Sequence, residues 1–80
     1  VSIFENKIYP NPTDGQFTLF SNYENGFVSI ISISGTEVKT IEINSLITKV
    51  DISELENGIY WLKIQSVDGI NRGVIEIIKE

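Results

Sequence analysis

The chain has 80 residues, a formal net charge of −5, and neither histidine nor cysteine. That length allows one domain with a thin core, which no disulfide or thiolate metal site can reinforce. The acidic balance argues against a nucleic-acid partner and against adsorption to an anionic membrane, and no apolar run approaches the ~20 residues of a membrane-inserted helix.

The apolar residues are mainly Ile, with Val, Phe and Tyr behind, and there is no Ala or Met. Such residues suit a pleated, half-buried surface better than a helix. Ile3 to Tyr9 is the first expected strand. It runs into Pro10-Asn11-Pro12-Thr13-Asp14-Gly15, where two prolines remove backbone donors and Asp14-Gly15 suits a tight turn. Gln16 to Ser21 follows, with Phe17 and Leu19 on one face, and Ser21 to Gly26 turns the chain. Phe27 to Ile33 is the third strand, with Val28 and Ile30 alternating against Ser29. Ser34-Gly35 makes a hairpin into Glu37 to Ile43. Val38, Ile41 and Ile43 break the period of two, so a bulge is expected near Lys39-Thr40.

Ile47 to Ile52 is the fifth strand. Ser53 to Gly58 is expected to contain a short helical turn, with Leu55 plugging one end of the core. Ile59 to Ser66 is apolar on both faces at its start, as a central strand is. Asp68-Gly69 turns into Arg72 to Lys79. Seven strands with turn signals between them point to an all-β fold, a Greek-key β-sandwich.

The absence of His and Cys removes Ser-His and Cys-His nucleophilic pairs, the usual zinc ligand sets and the commonest general base. Asp51, Glu54 and Glu56 can be read as an acid/base pair or a calcium site, but they alternate with Ile52, Ser53 and Leu55. A solvated acidic loop accounts for them. Asn11, Thr13 and Asp14 are residues that turns use for side-chain-to-backbone bonds. The expectation is no enzyme and no cofactor. Tyr60 and Trp61 point to opposite faces of one strand. With Tyr60 inward, Trp61 faces out, either toward an exposed contact patch with Phe20 or Ile31 or beneath a neighbouring segment.

Three separated stretches carry a resemblance. They are Tyr9-Pro10-Asn11-Pro12-Thr13-Asp14-Gly15 with Phe17-Thr18-Leu19, then Val28 to Val38 around Gly35, then Val50 to Ile64, and the chain closes on Gly73 to Lys79. In this order and spacing they resemble the C-terminal sorting domain of the type IX secretion system, type A, over essentially the whole chain. The resemblance implies a seven-stranded antiparallel immunoglobulin-like Greek-key β-sandwich that serves as a secretion tag. Its partners would be an outer-membrane translocon and a cell-surface sortase that removes the tag and attaches the cargo to the surface. It implies that residues 1–80 are the C-terminal piece of a larger protein with its cargo upstream. That protein would be secreted or displayed on a Gram-negative bacterium after crossing the periplasm. The family motifs fall on Pro10, Asn11, Pro12, Gly15, Gly35, Leu55, Gly58, Tyr60 and Lys79. Ser32 stands where the family often has Asp, and only Lys79 precedes Glu80.

Two further expectations come from the residues themselves. An adhesive or carbohydrate-binding accessory module is the alternative to a tag, motivated by Trp61. The first or last strand, as a sheet edge, offers backbone groups for a partner strand and for dimerisation of the isolated domain.

Overall fold

Alternating apolar and polar side chains build seven strands in the computed structural model, which describes residues 6–21 and 24–80. They are β1 (Lys7–Tyr9), β2 (Gln16–Phe20), β3 (Gly26–Ser32), β4 (Glu37–Ile43), β5 (Ile47–Asp51), β6 (Gly58–Ser66) and β7 (Asn71–Lys79). No helix occurs among the described residues. Two antiparallel sheets form, one in the order β1-β2-β5 and the other in the order β4-β3-β6-β7. β6 lies between β3 and β7, as its two apolar faces lead one to expect.

The sheets face each other across one core. Phe17, Leu19 and Val50 come from the first sheet; Val28, Ile30, Ile43, Tyr60, Leu62, Ile64 and Ile77 come from the second. Ile52, just past β5, joins them, and Leu55 packs half-buried against the cluster. Burying each Ile or Leu contributes roughly 1.5–3 kcal/mol, which is what a domain without disulfides depends on.

Three local expectations shift. The bulge lies one residue earlier than Lys39-Thr40: Ile30 pairs with Lys39 and Ile31 with Glu37, so Val38 is the extra residue of β4. Restoring the phase there turns Ile41 and Ile43 inward beside Val28 and Gly26. Ser53 to Gly58 holds no helical turn; the Leu55 amide donates to the Ile52 carbonyl in a single tight turn. The first strand starts at Lys7, and the expected Ile3 to Glu5 lie outside the described residues, as do Asn22 and Tyr23 of the expected Ser21 to Gly26 turn.

Because the strands run alternately up and down, the connections sort to two ends. Residues 10–15, 33–36 and 52–57 share one pole with the end of β7. The connections after β2, β4 and β6 share the other.

Candidate functional site

Every residue singled out from the family motifs lies at the pole where β7 ends. The Pro10-Asn11-Pro12-Thr13 stretch leaves β1 and runs along the outer edge of β7. There the Asn11 Nδ2 donates to the Glu76 carbonyl at 2.9 Å, and the Ile78 amide donates to Asn11 Oδ1 at 3.0 Å. One residue pair further on, the Thr13 amide donates to the Ile78 carbonyl at 2.8 Å and the Glu80 amide to the Thr13 carbonyl at 2.9 Å. Thr13 and Lys79 thus form an isolated parallel bridge. At the start of β7 the Asn6 side chain donates to the Arg72 carbonyl at 3.1 Å. Edge strands expose unpaired backbone groups; here a strap of residues 6–13 occupies much of that edge. Pro10 and Pro12, which have no amide hydrogen, flank Asn11 and leave its amide group to do the pairing.

Thr13 also closes its own loop. Its Oγ1 accepts from the Gly15 amide at 3.1 Å and donates to the Gln16 carbonyl at 2.7 Å. The side chain is 2% exposed, so these bonds are worth more than they would be in water. The Ile52 amide donates to the Gly15 carbonyl at 2.7 Å, which joins the first motif to the third.

In the third motif the Tyr60 hydroxyl donates to the Glu56 carbonyl at 2.5 Å, four residues upstream. Gly58 pairs with Lys79 across β6 and β7. Lys79 is only 8% exposed, and its Nζ donates to Asn57 Oδ1 at 3.0 Å. Gly35 closes the β3–β4 hairpin, its amide donating to Ser32 at 2.8 Å. Gly15, Gly35 and Gly58 all have positive φ (148°, 91° and 151°), the conformations for which side chains are a handicap. Beneath the hairpin an open groove of about 450 Å³ is lined by Ile33, Val38, Leu55, Asn57 and Ile59.

The acidic loop beside this pole is tied down. Asp51 Oδ1 accepts from the Ser53 hydroxyl at 2.6 Å and the Ser53 amide at 2.8 Å. These bonds hold its carboxyl below the usual range. Lys39 Nζ bridges the two sheets, donating to the Asp51 carbonyl at 2.6 Å and to Glu54 Oε2 at 2.8 Å. That contact lowers the Glu54 carboxyl as well. No cluster of three or more His, Cys, Asp or Glu residues suited to a metal ion is found among the described residues.

Trp61 does face outward, opposite the buried Tyr60, and Ile31 is its cross-strand partner. Phe20 cannot join it. Phe20 sits on the outer face of the other sheet, so the aromatic patch that pairs the two is split across opposite sides of the domain.

Asn6, Thr13 and Asn57 were not singled out as site residues. The turn reading of Thr13 holds for its side-chain bonds to Gly15 and Gln16, while Asn6 falls in the expected first strand and Asn57 in the turn ahead of the sixth. Their partners here lie 66 residues away for Asn6 and 22 for Asn57, a separation to which no local pattern points.

A search of curated proteins returned no match. A family model described as the secretion system C-terminal sorting domain matches residues 7–79, from the first residue of β1 to the last of β7. A sorting signal of this kind implies contact with the type IX secretion machinery and a secreted or cell-surface protein. No helix among the described residues is long and apolar enough to cross a membrane. The chain belongs to the type IX secretion C-terminal sorting domain family.

Proposed function

We propose that residues 1–80 are a non-catalytic tag that directs an upstream cargo through the outer-membrane translocon. A cell-surface sortase then removes the tag on its N-terminal side and attaches the cargo to the surface. One observation carries this reading. Pro10, Asn11, Pro12, Gly15, Gly35, Leu55, Gly58, Tyr60 and Lys79 gather at a single pole around the C-terminal strand. The contacts there are hydrogen bonds that hold a shape.

In this reading the motif residues keep β7 in place. Recognition of the tag by the translocon depends on them through the folded pole. The strand order supports an immunoglobulin-like Greek key: β1, β2 and β5 share one sheet and β3, β6 and β7 the other, with β4 joined to β3. The Tyr60 hydroxyl bonded to Glu56 matches the tyrosine corner of such sandwiches. The isolated domain would dimerise through whatever part of the first or last strand's edge the strap leaves open.

The test is a passenger protein, with its own inner-membrane signal, fused ahead of residues 1–80 in a host that carries the secretion system. The expected result is passenger outside the cell, shortened by the mass of the domain. Passenger retained in the periplasm refutes the sorting role, and exported passenger still bearing the domain refutes the sortase step.

A further inference from the structure

We propose that the outer face of the four-stranded sheet is a docking surface for a different protein, one with an apolar centre and a basic rim, held transiently. This rests on the sorting role argued above. The face is built by the residues that alternate with the core: Phe27 and Ile31 on β3, Ile59 and Trp61 on β6, Val74 and Ile78 on β7. Register joins them. Ile31 lies opposite Trp61, and Ile59 lies opposite Ile78. Directly opposed side chains sit about 4.5–5.5 Å apart and diagonal ones about 7–8 Å, so Ile31, Ile59, Trp61, Val74 and Ile78 form one strip across three strands, with Phe27 set apart beyond Ser29 and Lys63. Phe27 is 36% exposed, Ile59 38%, Trp61 39% and Val74 54%. A contiguous apolar strip with an aromatic near its middle marks an interaction site more often than scattered surface residues do. The outer face of the other sheet differs. Its Tyr9, Phe20 and Ile47 are interleaved with Lys7, Gln16, Thr18, Lys49 and Asp51.

Charge and size identify the occupant. Glu37 opposes Ile31 from β4, Glu42 opposes Phe27 further along β4, and Glu76 stands beside Trp61 between Val74 and Ile78, so carboxylates predominate in and around the strip. Lys63 is the cation within it, and Arg72 lies beyond at the β7 bulge. A second copy would set carboxylate against carboxylate, which disfavours self-pairing, whereas a basic rim is complementary. Two strand spacings by five residues give a footprint of roughly 150 Å². A lasting complex buries about 800 Å² per partner. The strip alone is far smaller than a lasting interface, which fits a contact made to be released, as a tag must be.

The test uses the passenger fusion. Trp61→Ser with Ile59→Thr should lower exported passenger about tenfold or more. Glu42→Lys with Glu76→Lys should also lower it, while Phe20→Ser with Ile47→Thr on the opposite face should leave it unchanged. Failure of the unaltered fusion to be exported would refute the sorting role itself. An exporting unaltered fusion with both outer-face variants exported equally well would overturn the docking surface alone. Thermal melts of the purified domains accompany the assay. Should the apolar pair melt early, the exposed rim pair decides, and its export at the unaltered level overturns the proposal. Self-association that Trp61→Ser abolishes would make a second copy the occupant and overturn it too.

Discussion

Replacing Asn11 by Ala tests whether the strap holds β7. The substitution removes two hydrogen bonds, from Nδ2 to the Glu76 carbonyl and from the Ile78 amide to Oδ1. Each bond of this kind contributes about 0.5–1.5 kcal/mol net. Asn11 is exposed, so water can replace part of the loss. The expected cost is therefore about 1–2 kcal/mol. In a domain of this size each kcal/mol moves the melting temperature by about 4–8 °C, so Asn11→Ala should melt roughly 5–15 °C lower. Asn11→Asp should be worse at neutral pH. It keeps an acceptor for the Ile78 amide but turns the other oxygen toward the Glu76 carbonyl, where a donor stood. Hydrogen exchange locates the effect: the Ile78 amide should exchange faster in both variants, relative to amides in β3. An Asn11→Ala domain that melts like the unaltered one, or that melts lower with Ile78 protection unchanged, would refute the strap.

Other perturbations probe the rest of the domain. A Cβ at Gly26 would lie 2.2 Å from the Gln65 carbonyl oxygen, a backbone atom with little room to move. Gly26→Ala should cost about 3 kcal/mol by forcing β3 from β6, read as a melting temperature lower by more than about 10 °C. Thr48 Oγ1 is buried with no hydrogen-bond partner among the described residues. Thr48→Val should stabilise by about 1 kcal/mol, measured by urea unfolding, because the unpaired hydroxyl's desolvation penalty disappears. Asp51, Glu54 and Asp68 all ionise more readily in the folded chain. Asp51 is lowered chiefly by bonds from Ser53, Glu54 by Lys39, and Asp68 by the Ser66 hydroxyl. Carboxyls lowered on folding stabilise the fold above their unfolded values, and that stability is lost as pH falls through the folded values. Melting temperature should hold from neutral pH to about 5 and decline below about 4. Asp51→Asn should flatten part of the decline.

The strands that bury one face were legible because the signal is local. Phe17 and Leu19, Val28 and Ile30, and Tyr60, Leu62 and Ile64 recur at every second position, and all seven are buried. The β4 irregularity was legible as a phase error but not to the residue. Three apolar positions require an extra residue somewhere before Ile41, and only the pairing with β3 assigns it to Val38. Sheet membership was not legible at all. Phe20 and Trp61 are both outward residues on good strands, yet they lie on opposite sides, because the crossing after β2 puts β3 in the other sheet. The pole is the extreme case. Asn11 and Ile78 are 67 residues apart, and nothing near either one marks it as a partner of the other.

That separation also bears on what a translocon can read. Asn11, Thr13, Tyr60 and Lys79 direct their polar atoms at backbone or side-chain groups within the pole. Lys79, with its amine on Asn57 and little surface left, is poorly presented to a partner in the folded domain. Two kinds of substitution should therefore separate. Those at the pole act through folding, so their effect on export should track their effect on melting temperature. Those on the outer face of the four-stranded sheet, around Trp61, remove contact surface while the core stays intact, so export should fall without a matching change in stability. If pole variants of unchanged stability also lose export, the pole itself is touched by the machinery, and the motif residues are contacts as well as fasteners.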